Sequence, residues 1–171
     1  MAQVRKGVFI LGGNQVDLIG PELKVGDEAP DFTAVNTDLQ VVKGSDFKGK
    51  VRIIGSYPSL DTPVCDREAR RFNQEALNLH DDIVILAISM DLPFAQKRWC
   101  QATESDRIIT LSDHREGSFG QAYGTLIDGV RLLSRAVFVV DKNDRLVYVE
   151  YVPAAAQEPD YEKVLEAAKR A

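Results

Sequence analysis

The stretch that most constrains the fold of this chain is an apolar strand that runs into a turn and then a helix. Residues 51–57 are apolar enough for a buried strand, and a turn-like segment, residues 58–61, follows them. Thr62 is a favourable helix N-cap residue, and Pro63 suits the first helical position because its missing N–H would have no partner there. Cys65 is therefore predicted to be the third residue of a helix.

This position favours a reactive thiol. A sulfur in the first helical turn lies among unpaired backbone N–H groups at the positive end of the helix dipole, which stabilises a thiolate. Free cysteines are also common as small buried apolar residues, so only its position distinguishes Cys65 from such a residue. It would fail if Cys65 were both sealed from solvent and far from any guanidinium group.

The segments around this stretch alternate between strand and helix patterns. The predicted strands and strand pairs are a hairpin over 8–18 around Gly12-Gly13-Asn14, a pair within 31–42, the strands 51–57, 83–89 and 108–111, and a hairpin of 132–140 with 146–152. The predicted helices are 63–79, one from Asp91-Leu92-Pro93 to Cys100 or Ala102, 118–123, and one from Pro159-Asp160 through Lys169.

The order βαβαβα followed by ββα predicts an α/β protein with a parallel sheet and right-handed crossovers. The last hairpin is expected to add antiparallel edge strands. This pattern is typical of a thioredoxin-like fold, here with an N-terminal β-hairpin extension. In open α/β sheets, sites gather at the carboxyl ends of the strands, where Cys65 is expected to lie.

Composition limits the classes of function. With 171 residues, 44% hydrophobic and 27% charged, residues 1–171 are expected to form a single domain. The net charge of -5 argues against a nucleic-acid or anionic-membrane partner, which would require a basic surface. Arg67, Arg70 and Arg71 cluster on one helix with Asp66 and Glu68 beside them, which is typical of a solvated helix face.

No targeting or membrane segment is expected. The apolar run 8–11 is stopped by Gly12-Gly13 well short of a signal-peptide core, and no later segment is long enough to cross a bilayer. A cytoplasmic location is therefore expected. Thiols are kept reduced there, so a disulfide is more often catalytic than structural.

Arg135 is the candidate for stabilising charge near Cys65, because it interrupts the apolar run 132–140. Two interpretations stay open from the residues alone. Arg135 could lie at the start of the strand with its charged end in water. Alternatively, it could face Cys65, where its guanidinium group would pair with a thiolate and with a developing oxyanion.

Cys100 ends a predicted helix beside Trp99 and could simply be a buried residue. As a redox partner, it would condense with an oxidised Cys65 to form a disulfide. Nine residues of helix place Cys100 roughly 13 Å from the start of its helix, whereas bridged cysteines need Cα atoms within ~7 Å. The two sulfurs are expected not to touch in the reduced fold, so disulfide formation should require local unwinding.

A zinc site is the alternative use of Cys65, Cys100, His80 and His114. Structural zinc sites usually take ligands in close pairs, and none of these residues is so spaced, so zinc is not favoured. The absence of C-x-x-C also argues against a thioredoxin-type disulfide reductase. The two histidines are expected at the surface.

The motif Pro58-x-x-x-Thr62-x-x-Cys65 resembles the active-site motif of the peroxiredoxins. Residues 26–32 resemble the N-terminal segment of that family, and Arg135 lies where the family has its active-site arginine. Residues 58–62, 92–96 and 121–124 resemble more narrowly the thiol peroxidase subgroup, the atypical two-cysteine peroxiredoxins. The resemblance extends from the N-terminal hairpin to the last helix.

The resemblance implies a cytoplasmic thiol-dependent peroxidase that requires no metal or haem. Cys65 would attack a hydroperoxide, either hydrogen peroxide or an organic hydroperoxide, and become a sulfenic acid. Thr62 and Arg135 would hold the thiolate and the peroxide, and Pro58 would shield the pocket. Cys100 would form an intrachain disulfide that thioredoxin reduces, and the subgroup is usually homodimeric.

One residue departs from the family pattern, and two alternative functions remain. Asp66, directly after the nucleophile, opposes thiolate formation at short range. A non-catalytic redox sensor or binding module would use the same two sulfurs but would show no multiple turnover with thioredoxin. A zinc-stabilised structural domain would carry about one metal per chain and unfold with chelator.

Overall fold

The computed structural model describes residues 3–171. Ten strands form two sheets. The strands are β1 (Val4–Leu11), β2 (Asn14–Ile19), β3 (Thr33–Val35), β4 (Val41–Lys43), β5 (Val51–Ser56), β6 (Ile83–Ser89), β7 (Ile109–Ser112), β8 (Leu126–Ile127), β9 (Ala136–Val140) and β10 (Leu146–Tyr151).

Four α-helices connect and flank these strands. They are α1 (Pro63–Glu75), α2 (Pro93–Thr103), α3 (Ser118–Tyr123) and α4 (Tyr161–Arg170). Short 3₁₀ turns lie at Gly44–Phe47 and, directly after α1, at Ala76–Asn78. No helix among residues 3–171 is long and apolar enough to cross a membrane.

The main sheet has seven strands in the order β10-β9-β5-β6-β7-β3-β4. Its centre is parallel, because β6 pairs with both β5 and β7 in the same direction. Strand β9 is antiparallel to β5 and lies between β5 and β10, so of the two strands of the last hairpin only β10 is at an edge of the sheet. The prediction that both strands of the last hairpin lie at the edge was therefore wrong for β9, whose five residues are all buried.

The N-terminal hairpin is confirmed. Gly12 and Gly13, at φ 58° and 83°, form its two-residue turn, a backbone conformation that glycine adopts without strain. The hairpin is longer than expected, and β8 pairs with its second strand to give a three-stranded sheet. The sequence did not predict β8, which is only two residues long.

The two faces of the main sheet carry separate hydrophobic clusters. On one face, Cys65 and Phe72 of α1 pack with Trp99 of α2 and Val164 of α4. The other face buries Phe32, Leu133 and the aromatic residues of α3. The α/β, thioredoxin-like fold with an N-terminal hairpin is confirmed, and the turn and helix that carry Cys65 follow the carboxyl end of β5.

Several predicted boundaries need correction. Helix α1 ends at Glu75 and not at residue 79, because a 3₁₀ turn follows it at Ala76–Asn78. Residues 132–134 lie outside β9 because their backbone bonds go to the β8 region: Ile127 N–H donates to Leu132 O, and Ser134 N–H donates to Thr125 O. Helix α2 begins at Pro93 as expected, but its N-cap residue is Leu92 and not Asp91.

Candidate active site

Cys65 is the third residue of α1, as predicted. Thr62 has the extended backbone of an N-cap residue, Pro63 is the first helical residue, and Asp66 N–H donates to Thr62 O at 2.9 Å. The Cys65 side chain is fully buried, at 0% exposure. The sulfur is therefore sealed from solvent in this conformation, but it is not far from a guanidinium group.

That group belongs to Arg135, which directly precedes β9 and is 1% exposed. Its Nη2 donates to Cys65 Sγ at 3.1 Å and to Ala155 O at 2.7 Å, and its Nε donates to the same carbonyl at 3.2 Å. The structure therefore favours the second interpretation of Arg135. Its charged end does not reach water and is held against the sulfur.

Glu68 completes a buried cluster of charged groups. It is 0% exposed, and its Oε1 accepts a hydrogen bond from Arg135 Nη1 at 3.1 Å. Burial raises the pKa of Glu68 to about 7, against the opposing effect of the Arg135 charge. One guanidinium group thus faces two groups that can each carry a negative charge, and a neutral Glu68 leaves more of its charge to the sulfur.

Glu68 was expected on a solvated face, and this was wrong. The arginines around it do lie at the surface, fully or in part. Glu68, however, is one helical turn beyond Cys65 and therefore shares its face. The spacing of three residues from the nucleophile is the signal that could have revealed it.

The turn before Cys65 is tied to the loop between β6 and α2. Asp91 accepts from Ser59 Oγ at 2.7 Å and from Leu60 N–H at 2.8 Å. Asp91 also accepts from Ser89 Oγ at 2.8 Å. Its carboxylate therefore holds this turn instead of capping α2.

Thr62 occupies the expected backbone position but makes neither of the expected side-chain contacts. Its Oγ1 donates to Ser59 O at 2.8 Å, the carbonyl that also accepts Thr62 N–H across the turn. The hydroxyl group is thereby held in the turn, and no hydrogen bond joins it to Cys65 or to the first N–H groups of α1. Pro58 is buried at the opposite end of the same turn, close in sequence to Tyr57 of the Cys65 cluster.

Asp66 is held by two donors. Arg70 Nε and Trp99 Nε1 donate to its Oδ1 at 3.0 and 2.9 Å, respectively. The negative charge next to the nucleophile is thereby partly compensated. The Trp99 bond also joins the residue after Cys65 to the residue before Cys100, and so connects the two cysteine-bearing helices.

Cys100 lies in the last part of α2, half-buried, with Sγ 3.6 Å from Thr110 Oγ1. Burial raises the pKa of its thiol. Both cysteines are free thiols in this structure. Among residues 3–171, no group of three or more His, Cys, Asp or Glu side chains is placed to hold a metal ion.

A family model described as Redoxin matches residues 24–165. The chain belongs to the Redoxin family. It is 61% identical over 150 residues to a thiol peroxidase of Oceanobacillus iheyensis, covering 88% of this chain and 91% of that protein. It is 54% identical over 157 residues to a thiol peroxidase of Bacillus subtilis, covering 92% and 93% of the two chains.

The structure is also similar to that of a peroxiredoxin-like protein from Aquifex aeolicus. The TM-score is 0.89 at 41% sequence identity, with 96% of each chain covered. The resemblance to the thiol peroxidase subgroup and the enzyme class predicted from it are therefore confirmed. This Redoxin-family chain is a peroxidase of the peroxiredoxin type.

The site of this Redoxin-family enzyme is separate from the cavity on the other face of the main sheet. A cavity of about 160 Å³ lies on the other face of the sheet, where Phe32, Arg52 and Tyr123 contribute to its lining. None of Pro58, Thr62, Cys65, Cys100 and Arg135 lines it. The candidate active site is recognised by its charges and hydrogen bonds, and its sulfur is closed in this conformation.

Proposed function

We propose that the protein reduces hydrogen peroxide and organic hydroperoxides through Cys65 and is recycled by thioredoxin through a disulfide with Cys100. The contact of 3.1 Å between Arg135 Nη2 and Cys65 Sγ is the observation that carries this proposal. The adjacent guanidinium group can stabilise negative charge on the sulfur, and the thiolate is the nucleophilic form of cysteine.

In the first step, the Cys65 thiolate attacks the terminal oxygen of the hydroperoxide. A sulfur–oxygen bond forms and the oxygen–oxygen bond breaks, so the sulfur is oxidised to a sulfenic acid. The leaving oxygen takes up a proton to give water or an alcohol. Arg135 supports this step by stabilising the negative charge that develops on the leaving oxygen.

In the second step, the thiolate of Cys100 attacks the sulfenic sulfur of Cys65. The disulfide forms and the hydroxyl group leaves as water. Thioredoxin then reduces the disulfide by dithiol exchange, which restores both thiols. Cys100 must leave its position beside Thr110 for this step, which fits the local unwinding expected from the sequence.

Because the sulfur of Cys65 is closed from solvent in this conformation, the substrate needs a path to it. Asp91 holds the turn at residues 58–62, which directly precedes α1 and has exposed residues at Asp61 and Thr62. We propose that the peroxide enters when this turn opens, and that Pro58 and Thr62 shield the bound substrate. Thr62 Oγ1 becomes free to donate to the peroxide when its bond to Ser59 O is released.

A homodimer, a cytoplasmic location and a single domain over 1–171 are part of the same proposal. Leu92 and Phe94, at the start of α2, are 53% and 68% exposed and offer apolar surface for a second copy. Sedimentation velocity of the reduced protein should give the mass of a dimer. Phe94→Glu should shift it to the monomer if this surface is the interface.

The function is tested by following peroxide decay with thioredoxin, thioredoxin reductase and NADPH. Wild-type protein should turn over many times, whereas Cys65→Ser should consume no peroxide. Cys100→Ser should consume about one equivalent and then stop. Steady turnover by Cys65→Ser would refute the proposal, and one equivalent consumed by wild type without recycling would favour a redox sensor.

A further inference from the structure

The guanidinium group of Arg135 is oriented by a backbone carbonyl that does not belong to its own strand. Ala155 O accepts from both Nε and Nη2 of Arg135, at 3.2 and 2.7 Å. Two bonds to one acceptor fix one edge of the planar fork, and the ion pair with Glu68 fixes another. The direction in which Nη2 points at the sulfur therefore depends on where Ala155 lies.

Ala155 lies in the loop between β10 and α4, and the N-terminal hairpin holds this loop. Ile10 N–H donates to Pro153 O, and Ala155 N–H donates to Ile10 O, both at 2.9 Å. The Ala155 side chain also packs against the hairpin cluster of Phe9 and Leu18. Backbone and side-chain contacts thus join the same loop to β1.

The two Ile10 bonds are not part of the hairpin ladder. Leu11 and Asn14 flank the two-residue turn, so Ile10 pairs with Gln15 at a position where its backbone groups point away from β2. The outward groups of an edge strand are available to another segment. In this protein, they bind the loop that carries Ala155.

We propose that the N-terminal hairpin is a positioning element for peroxide reduction, in which Ile10 holds the Ala155 loop and the Ala155 carbonyl aims the Arg135 guanidinium at Cys65. This inference rests on the proposed roles of Cys65 and Arg135. Ile10 and Ala155 touch neither the sulfur nor the substrate and act only through Arg135. The hairpin therefore contributes to the geometry of the active site.

The chain offers a substitution that removes one bond of this clamp with little strain. Gln157 N–H donates to Ala154 O, so Ala155 is the second residue of a β-turn, a position at which proline is favoured. Ala155→Pro removes the N–H that binds Ile10 O and keeps the carbonyl that binds Arg135. Ala155→Ser, which keeps both groups, is its matched control.

A second pair of variants breaks the clamp from the hairpin side. Ile10→Pro removes the N–H that binds Pro153 O, and its missing donor does not interrupt the β1–β2 ladder. The Ile10 side chain is 42% exposed, so Ile10→Thr is a control that keeps the backbone donor and the branched side chain.

The readout is the ratio of two rate constants of Cys65, one for hydrogen peroxide and one for iodoacetamide, measured on Cys100→Ser protein. Both reagents consume the same thiolate, but only peroxide develops charge on a leaving oxygen, so the ratio isolates the effect of the guanidinium. Ala155→Pro and Ile10→Pro should lower the ratio about tenfold or more. Ala155→Ser and Ile10→Thr should leave it unchanged.

The outcome separates this inference from the proposed function. An unchanged ratio in both proline variants would overturn the clamp if Arg135→Lys still lowers it. An unchanged ratio in Arg135→Lys would instead overturn the role of Arg135 itself. If a proline variant does not fold, hydrogen exchange of the wild-type protein decides: slow exchange at Ile10 and Ala155 supports the clamp, and exchange as fast as in an unstructured peptide overturns it.

Discussion

Arg135 donates a hydrogen bond to the sulfur of Cys65 across 70 residues of chain, and both side chains are almost completely removed from water. A buried charge is expensive unless it is paired, so the contact requires a partner of opposite sign. The thiolate of Cys65 and the carboxylate of Glu68 are the groups that can supply it. These two groups compete for the positive charge of Arg135, and the central chemistry of this peroxidase follows from that competition.

Replacement of Arg135 by lysine should slow the reaction of Cys65 with hydrogen peroxide about a hundredfold. Lysine keeps the charge but loses the planar fork that reaches Cys65, Glu68 and Ala155 together. Stopped-flow measurement of the second-order rate constant tests this. Arg67→Lys, at an exposed position of α1, is the control and should react like wild type.

Substitution of Glu68 by glutamine should change how stability depends on pH. Burial raises the pKa of Glu68 from 4.5 to about 7. Between these values the folded protein keeps a proton that the unfolded chain has released, so the free energy of unfolding falls as the pH rises through this window.

The decrease attributable to Glu68 is on the order of 3 kcal/mol between pH 4.5 and 7. Urea unfolding at several pH values should show a smaller decrease for Glu68→Gln than for wild type. Glu166→Gln, at an exposed position of α4, should keep the wild-type slope. Equal slopes for Glu68→Gln and wild type would mean that Glu68 is ionised in the fold throughout this range.

Removal of the Trp99 indole N–H should accelerate disulfide formation. The bond from Trp99 Nε1 to Asp66 joins the two segments that must unwind before Cys65 and Cys100 can meet. A hydrogen bond to a charged group contributes about 1.5 kcal/mol or more, so its loss should raise the rate on the order of tenfold.

Trp99→Phe keeps an aromatic ring in the core and removes the donor. After addition of one equivalent of peroxide, quenching with a thiol-alkylating reagent at successive times gives the rate of disulfide formation. Asp66→Asn, which keeps an acceptor but removes the charge, should show an intermediate rate. A rate in Trp99→Phe equal to that of wild type would show that this bond does not limit unwinding.

Asp91→Asn should make the buried sulfur more accessible. The substitution replaces one carboxylate oxygen by an NH₂ group, which cannot accept from Leu60 N–H or from a serine hydroxyl. The turn before Cys65 should then open more often. Iodoacetamide should label Cys65 several-fold faster at a fixed pH, and labelling at the wild-type rate would exclude Asp91 as the tether.

The sequence predicts the local part of the site and leaves its long-range part open. The place of Cys65 in α1 follows from Thr62 and Pro63, which act within one helical turn. The direction of Arg135 depends on Glu68 and Ala155, which are distant from it in sequence, and the sequence offers two interpretations of equal standing. Tertiary packing decides between them.

The errors have the same physical origin. Glu68 lies among other charged residues in the sequence, so the local pattern predicts that its side chain is at the surface. The Arg135 guanidinium group makes its burial tolerable. Asp91 lies just before a helix that begins with proline, so the local pattern predicts that it caps this helix. Instead, its carboxylate accepts hydrogen bonds from Ser59 and Leu60 of another segment. In both cases, a partner distant in sequence changes the role of a polar residue.

The most direct test of the central claim is chemical trapping of the oxidised nucleophile. Cys100→Ser protein is treated with one equivalent of hydrogen peroxide in the presence of dimedone, which reacts with sulfenic acids, and the peptides are analysed by mass spectrometry. The account predicts one dimedone adduct, on the peptide that contains Cys65. The account would be contradicted if the peroxide is consumed while Cys65 carries neither a dimedone adduct nor a sulfinic or sulfonic acid.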